Sequence, residues 1–211
     1  LQVKNIRIKM DLRKILFKYR SYTPISFILL MVIFARPSLS NIVIGFVIVL
    51  VGEFLRLWGV SYAGSETRTT DGVGSSRLVS SGPFAHVRNP LYIGNILIYF
   101  GVGIMSWAGF PYLPIVTLLY FIFQYEMIVS LEEEHLAQKY GAEYQQYRKA
   151  VPKFIPSPKK YNSNINGQPK VDWNRGLKSE NRTLQAILII IVIIIILWIF
   201  DINISKLFTG F

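Results

Sequence analysis

The chain has no cysteine and only two histidines, His86 and His135. It therefore has no disulfide, no thiolate metal site and no cysteine nucleophile. Neither histidine has a second one a helical turn away, and carboxylate oxygens alone make a poor zinc site, so no metal is expected. There is no Walker-type loop, and no Gly-x-Gly-x-x-Gly follows a strand. Gly101-Val-Gly103 lies inside an apolar run, where small residues let helices approach closely. Charged residues are scarce, 17% against 52% hydrophobic, and the apolar residues gather into long runs. That pattern marks a membrane protein. The net charge of +11 does not point to nucleic acid. Lys and Arg flank the apolar runs instead of forming one basic face, so membrane lipids are the expected partners. The charged start shows no small-residue cleavage site and is not expected to be a cleavable signal.

Five apolar segments stand out, at Tyr22–Ala35, Asn41–Tyr62, Leu91–Trp107, Tyr112–Leu131 and Leu184–Phe200. The first is short against the ~20 residues a spanning helix needs, and it could start nearer Ile15. The third and fourth are separated only by residues around Gly109-Phe110-Pro111 and predict a tight helical hairpin. Of the 23 Lys and Arg, 21 fall in the segment up to and including Arg20, in Arg56–Arg88 or in Lys139–Arg182, and only Arg36 and Lys206 fall elsewhere. With five spans, this asymmetry predicts a cytoplasmic N-terminus and a multi-pass protein, and the Ile-, Asn- and Lys-rich usage and compact size suit a prokaryotic cell membrane. The expected fold is an all-α integral membrane protein with a cytoplasmic pocket. Residues 1–156 form the expected core, 157–183 a flexible cytoplasmic linker and 184–211 a last transmembrane helix. Gly141 predicts a helix break, followed by a short helix with Tyr144 and Tyr147 one turn apart.

Polar residues at the cytoplasmic membrane surface carry the chemistry. Ser81–Asn95 crowds turn formers and a cation beside a span, which is tolerated where protein buries the backbone or a cavity needs it. Arg88 and Asn89 precede a helix start whose bare amides can hold an anion, and Pro90 suits the first turn. Glu132, Glu133 and Glu134 begin where the fourth apolar segment ends. They read either as a solvated acidic face or as acceptors for a cationic group. Glu53 and Arg56 lie one turn apart inside the second segment. They are a functional pair or a self-neutralising one. Glu126 with Gln124 could line a substrate tunnel or supply a base. The polar, Gly-rich loop Gly64–Ser80 could form a lid, with Arg68 and Arg77 meeting an acidic substrate group or only lipid headgroups.

The ordered set Gly82, Pro83, Arg88, Pro90, Tyr92 and Gly94, then Glu132, Glu133, Leu136, Tyr140, Gly141, Tyr144, Tyr147, Pro152 and Pro156, resembles the isoprenylcysteine carboxyl methyltransferase and phospholipid methyltransferase superfamily. The motifs cover residues 81–156. The resemblance implies S-adenosyl-L-methionine as cofactor and a lipid-like or prenyl-like acceptor. It implies cofactor contacts from Val87, Arg88, Asn89, Tyr92, Gly94, Glu132, Glu133, Tyr144 and Tyr147. Glu133, Arg148 and Glu126 are the expected catalytic residues, and Glu53, Arg56, Arg68 and Arg77 the expected substrate contacts. The tyrosines also suit interfacial anchoring. Two positions depart from the pattern. Asn89 stands where His is usual, which keeps hydrogen bonding and removes a titratable ring. Leu131 stands where Arg is common. Methyl transfer from a sulfonium is an in-line displacement that needs water excluded and the nucleophile aligned. The competing expectations are a sterol-reductase-like enzyme using NADPH and a non-catalytic membrane scaffold with a vestigial pocket.

Overall fold

The computed structural model describes residues 11–64, 77–162 and 167–206. Among them the only regular structure is helical. Helix α1, Leu12–Tyr19, starts at Asp11, whose carboxylate accepts from the Arg13 backbone N–H at 3.0 Å. Helix α2, Thr23–Ile33, follows after a bend of 59°. The first apolar segment is thus an eleven-residue helix continued by an angled polar one. Helix α3 is Leu39–Ala63, α4 is Pro90–Ser106, α5 is Tyr112–Ala150 and α6 is Trp173–Ile199. Three of these, α3, α5 and α6, are long and apolar enough to cross a membrane. The bent α1–α2 pair makes up to four, and α4 is a shorter apolar helix. Their outward faces are apolar, as at Val47 and Phe54 on α3 and Leu188 and Ile189 on α6, which suits a lipid solvent.

Helices α3 and α4 form the centre. Gly45, Gly52 and Gly59 recur every seven residues along α3 and so share one face. A Cβ at Gly52 would lie 2.7 Å from the Gly94 carbonyl oxygen, and one at Gly101 would lie 2.8 Å from that of Gly45. The backbones therefore touch where side chains would separate them, which accounts for Gly101 as a packing residue. Helices α2 and α6 flank this pair, and Met31, Val49, Val102, Met105 and Ile194 fill the shared core. The α4–α5 connection is the expected tight hairpin, closed by Trp107 at φ 53° and a Trp107–Phe110 ring stack at 3.6 Å.

Gly141 breaks α5 at φ 52° and ψ −123°, so the tyrosine-bearing turn leaves the line of the span. Beyond Ala150 the chain doubles back along the Ser81–Asn95 stretch. The Arg88 amide donates to the Pro152 carbonyl at 2.9 Å, Ser157 to His86 at 2.9 Å and Tyr161 to Ala85 at 2.9 Å. Gln168 then bridges the Ser80 amide and the Leu78 carbonyl. The expected flexible linker is in these places a docked strap. The last helix begins at Trp173, ahead of the expected Leu184. Asp172 caps it by accepting from the Arg175 amide at 2.9 Å, and Gly176 packs on Ser61. The polar turns between Trp173 and Thr183 escape an apolar-run reading because tertiary contacts hold them.

Candidate functional site

The break at Gly141, the strap and the start of α4 converge on one ion pair. Arg88 donates to Glu133 Oε1 from Nε at 2.9 Å and from Nη2 at 2.8 Å. Its Nη1 donates to the carbonyls of Arg148 (2.9 Å) and Val151. Both charged groups are buried, with about a tenth of each side chain exposed. Arg148 reaches Glu133 only at 3.7 Å and is half exposed. Asn89 is the N-cap of α4, yet its amide donates to the Lys153 carbonyl at 3.1 Å and leaves the first turn of α4 without a side-chain cap. Tyr92, one turn in, donates to Glu132 Oε1 at 2.7 Å. Tyr147 donates to the Phe84 carbonyl at 2.8 Å, and its ring lies 6.2 Å from that of Tyr144. Burial pushes both the Tyr144 and Tyr147 phenols up, and the nearby Glu133 charge adds to the effect.

A cavity of about 840 Å³ opens between these groups and the helical core. Arg88, Asn89, Tyr92, Glu132, Glu133, Tyr144 and Tyr147 line it, as do Arg56 and Arg77. Val87, Gly94 and Glu53 do not line it. Gly94 instead sits against the Gly52 carbonyl and the Arg56 side chain, at a close approach of α3 and α4. Glu126 and Arg148 lie on a separate cleft, where the Lys153 ammonium pairs with Glu126. Gln124 is fully buried and accepts from the Thr23 hydroxyl at 2.9 Å. Arg68 and most of the candidate lid lie outside the described residues.

A second polar group lines the inner part of the cavity. Arg56 meets Glu53 at 3.6 Å, as the one-turn spacing anticipates, but its shorter partner is Glu180 on α6 at 2.7 Å. Its Nη1 also donates to Asn95 Oδ1. Tyr125 and Tyr99 stand beside Asn95 on the same wall. Asn95, Tyr99, Tyr125 and Glu180 all line the cavity and were missed by motif reading. Asn95 was within reach of a helical-spacing argument, since it lies one turn beyond Tyr92 on the same face. Among the described residues, no group of three or more His, Asp or Glu is placed to hold a metal ion.

Fold and cavity together define a helical membrane-type protein with a polar site set at the edge of an apolar bundle. The phospholipid methyltransferase family model matches residues 40–143, from the start of α3 to just past Gly141. This stretch belongs to the isoprenylcysteine carboxyl methyltransferase and phospholipid methyltransferase superfamily. The chain is 31% identical over 101 residues to the cobalt-zinc-cadmium resistance protein CzcN of Cupriavidus metallidurans, covering 48% of this chain and 42% of that one. It is 32% identical over 73 residues to the methanethiol S-methyltransferase of Crocosphaera subtropica, covering 35% and 27%. It is 31% identical over 111 residues to the protein-S-isoprenylcysteine O-methyltransferase of Schizosaccharomyces pombe, covering 50% and 45%. The chain spans less than half the length of each of these relatives. No solved structure matches it.

Proposed function

We propose that this chain is an S-adenosylmethionine-dependent methyltransferase acting on a lipid-like amphiphile at the cytoplasmic membrane face. The observation that carries the reading is the single cavity. One part of it is lined by the motif residues Arg88, Asn89, Tyr92, Glu132 and Glu133, and the other by side chains at membrane depth. The donor set suits a zwitterionic cofactor. Glu132 accepts from Tyr92 through one oxygen, which leaves capacity for an amino or hydroxyl donor. The uncapped first turn of α4 offers backbone N–H groups to a carboxylate. Bound S-adenosylmethionine would supply an activated methyl group.

In this reading Arg88 acts by orienting Glu133, because its guanidinium is committed to that carboxylate and two carbonyls. Tyr144 and Tyr147 close the outer wall and exclude water. Glu126 and Arg148 face the neighbouring cleft and are given no contact with the reacting atoms. In this reading the shorter helix α4 also crosses, which makes five crossings with the bent α1–α2 pair, α3, α5 and α6, and the asymmetry of Lys and Arg supports a cytoplasmic N-terminus and cytoplasmic motif residues.

The test is incubation of the purified full chain in lipid nanodiscs with methyl-labelled cofactor and a lipid extract, followed by mass spectrometry. Label in an extracted amphiphile is the expected result. Tighter binding of a nicotinamide dinucleotide than of S-adenosylhomocysteine would overturn the reading.

A further inference from the structure

Among the described residues lining the cavity there is one imidazole, that of His135. The structure treats the two histidines differently. His86 is held, with its Nδ1 2.8 Å from the Ser157 carbonyl oxygen on the strap. His135 is half-buried on the cavity wall, and neither of its ring nitrogens has a hydrogen-bond or ionic partner among the described residues. It lies three residues past Glu132 on α5, one helical turn along the same face. The motif position where His is usual is filled by Asn89, so a titratable ring reaches this cavity from α5 instead of from the start of α4.

The other groups able to accept a proton are committed. Glu133 takes two hydrogen bonds from Arg88, at 2.9 and 2.8 Å. Glu132 accepts from Tyr92 at 2.7 Å and serves the cofactor in the reading above. Glu180 pairs with Arg56 in the inner part of the cavity, and Glu126 pairs with Lys153 on the separate cleft. Asn89 cannot titrate. Burial pushes the Tyr144 and Tyr147 phenols up, so they stay protonated and cannot accept. A carboxylate acceptor arrives without a proton and needs none of these groups. An acceptor with a proton on its reacting atom needs a base, and imidazole is the side chain that exchanges a proton between about pH 5 and 8.

We propose that His135 is the catalytic base of this site and takes the proton from an acceptor whose reacting atom carries one. The assignment rests on the methyl-transfer reading and deepens it by naming the class of acceptor. The best match is a thiol, which ionises near pH ~8.5 in cysteine, against ~10 for an ammonium. The thiol sulfur lone pair forms the new S–C bond and displaces S-adenosylhomocysteine, whose sulfur keeps the electron pair of the broken C–S bond. The thiol proton passes to a ring nitrogen of His135 and then to water, since the ring is only half-buried. One positive charge enters on the sulfonium and one leaves as the proton. The charged groups sharing the outer cavity with this ring are Arg20 at the α1–α2 bend, Arg77, Arg88, Glu132, Glu133 and, on α6, Arg182. Tyr92, Tyr144 and Tyr147 are the phenols beside them, and Arg56 with Glu180 lies farther in. Four arginines against two glutamates oppose an ammonium and suit a thiol that becomes anionic as its proton leaves.

The experiment uses the full chain in nanodiscs and two matched probes. The octyl ester of N-acetylcysteine has a thiol and no carboxylate, and N-acetyl-S-octylcysteine has a carboxylate and no thiol. The first readout is carbon-13 NMR of the chain labelled at histidine Cε1, where the signal missing from His135→Gln is that of His135. With S-adenosylhomocysteine bound, the thiol probe should move the His135 signal at pH 7 and leave that of His86 in place. The second readout is transfer of labelled methyl as a function of pH. His135→Gln should lower kcat/KM for the thiol probe at least a hundredfold at pH 7, with S-adenosylhomocysteine affinity unchanged. The variant's rate should then climb about tenfold per pH unit, because it must wait for free thiolate. An unmoved His135 signal overturns the proposal even where transfer is seen. So does failure to methylate the thiol probe, or a His135→Gln loss below tenfold at pH 7. Absence of S-adenosylhomocysteine binding to the unmodified chain would instead overturn the methyl-transfer reading, and this assignment with it.

Discussion

Replacing Glu133 by Gln removes the charge that faces Arg88 and keeps the side-chain volume. The Arg88 guanidinium, about a tenth exposed, would then keep the Arg148 and Val151 carbonyls and a neutral hydrogen bond to the Gln amide oxygen, with no facing charge. Breaking a buried pair by removing one partner costs about 3–5 kcal/mol, and the two carbonyls put this case near the lower end, about 3 kcal/mol. For a chain of this size each kcal/mol lowers the melting temperature by about 2–4 °C, so a fall of about 6–12 °C is expected. Thermal unfolding of the detergent-solubilised protein, followed by intrinsic fluorescence, measures it. Arg148→Ala is the internal comparison. Its contact with Glu133 is 3.7 Å and half exposed, so it should cost under about 1 kcal/mol. A Glu133→Gln shift below about 2 °C would refute the view that this pair holds the start of α4 against α5.

Gly52→Ala places a Cβ 2.7 Å from the Gly94 carbonyl, and forcing α3 from α4 should cost about 1–3 kcal/mol in the same unfolding assay. Glu126→Gln removes an ion pair with Lys153 on a half-exposed carboxylate, and should change stability by less than about 1 kcal/mol with S-adenosylhomocysteine titration unaltered. Burial raises the Tyr144 and Tyr147 phenols in the folded state. Above pH ~10 the unfolded chain loses those protons first, so stability is full below that pH and falls as pH rises beyond it. Tyr147→Phe should flatten this alkaline loss in pH-dependent melting curves, and should cost about 1 kcal/mol at neutral pH for the hydrogen bond to the Phe84 carbonyl.

Local signals were read where the physics is local. Gly141 announces its break because a following helical turn must be re-aimed, and the short Gly109-Phe110-Pro111 connection forces the α4–α5 hairpin. Gly101 announces close packing. The two halves of the motif set, Arg88 and Glu133, face one another across the hairpin as their order suggests. What could not be read depends on pairing over long separations. The strap after α5 is polar and looks like a linker, and long-range contacts fix it, among them its hydrogen bonds to Ala85, His86 and Arg88. The Asn95–Tyr125–Tyr99 row needs the facing of α4 and α5, which no single-helix pattern supplies.

Glu180 shows why the reach of the family motifs is shorter than the reach of the site. A charge at membrane depth is costly unless a partner or water meets it. Within the stretch 40–143 the carboxylate near Arg56 is Glu53, at 3.6 Å and beyond hydrogen-bond range. The 2.7 Å partner comes from α6, 124 residues along the chain. Arg56 can thus sit in the cavity wall because a helix outside the matched stretch neutralises it. The same helix contributes Ile187 and Ile190 to that wall. The matched stretch explains the outer, motif-lined part of the cavity. The charge of its inner part depends on α6, so under the methyl-transfer reading proposed above acceptor selectivity should follow α6 substitutions even where the motif residues are identical.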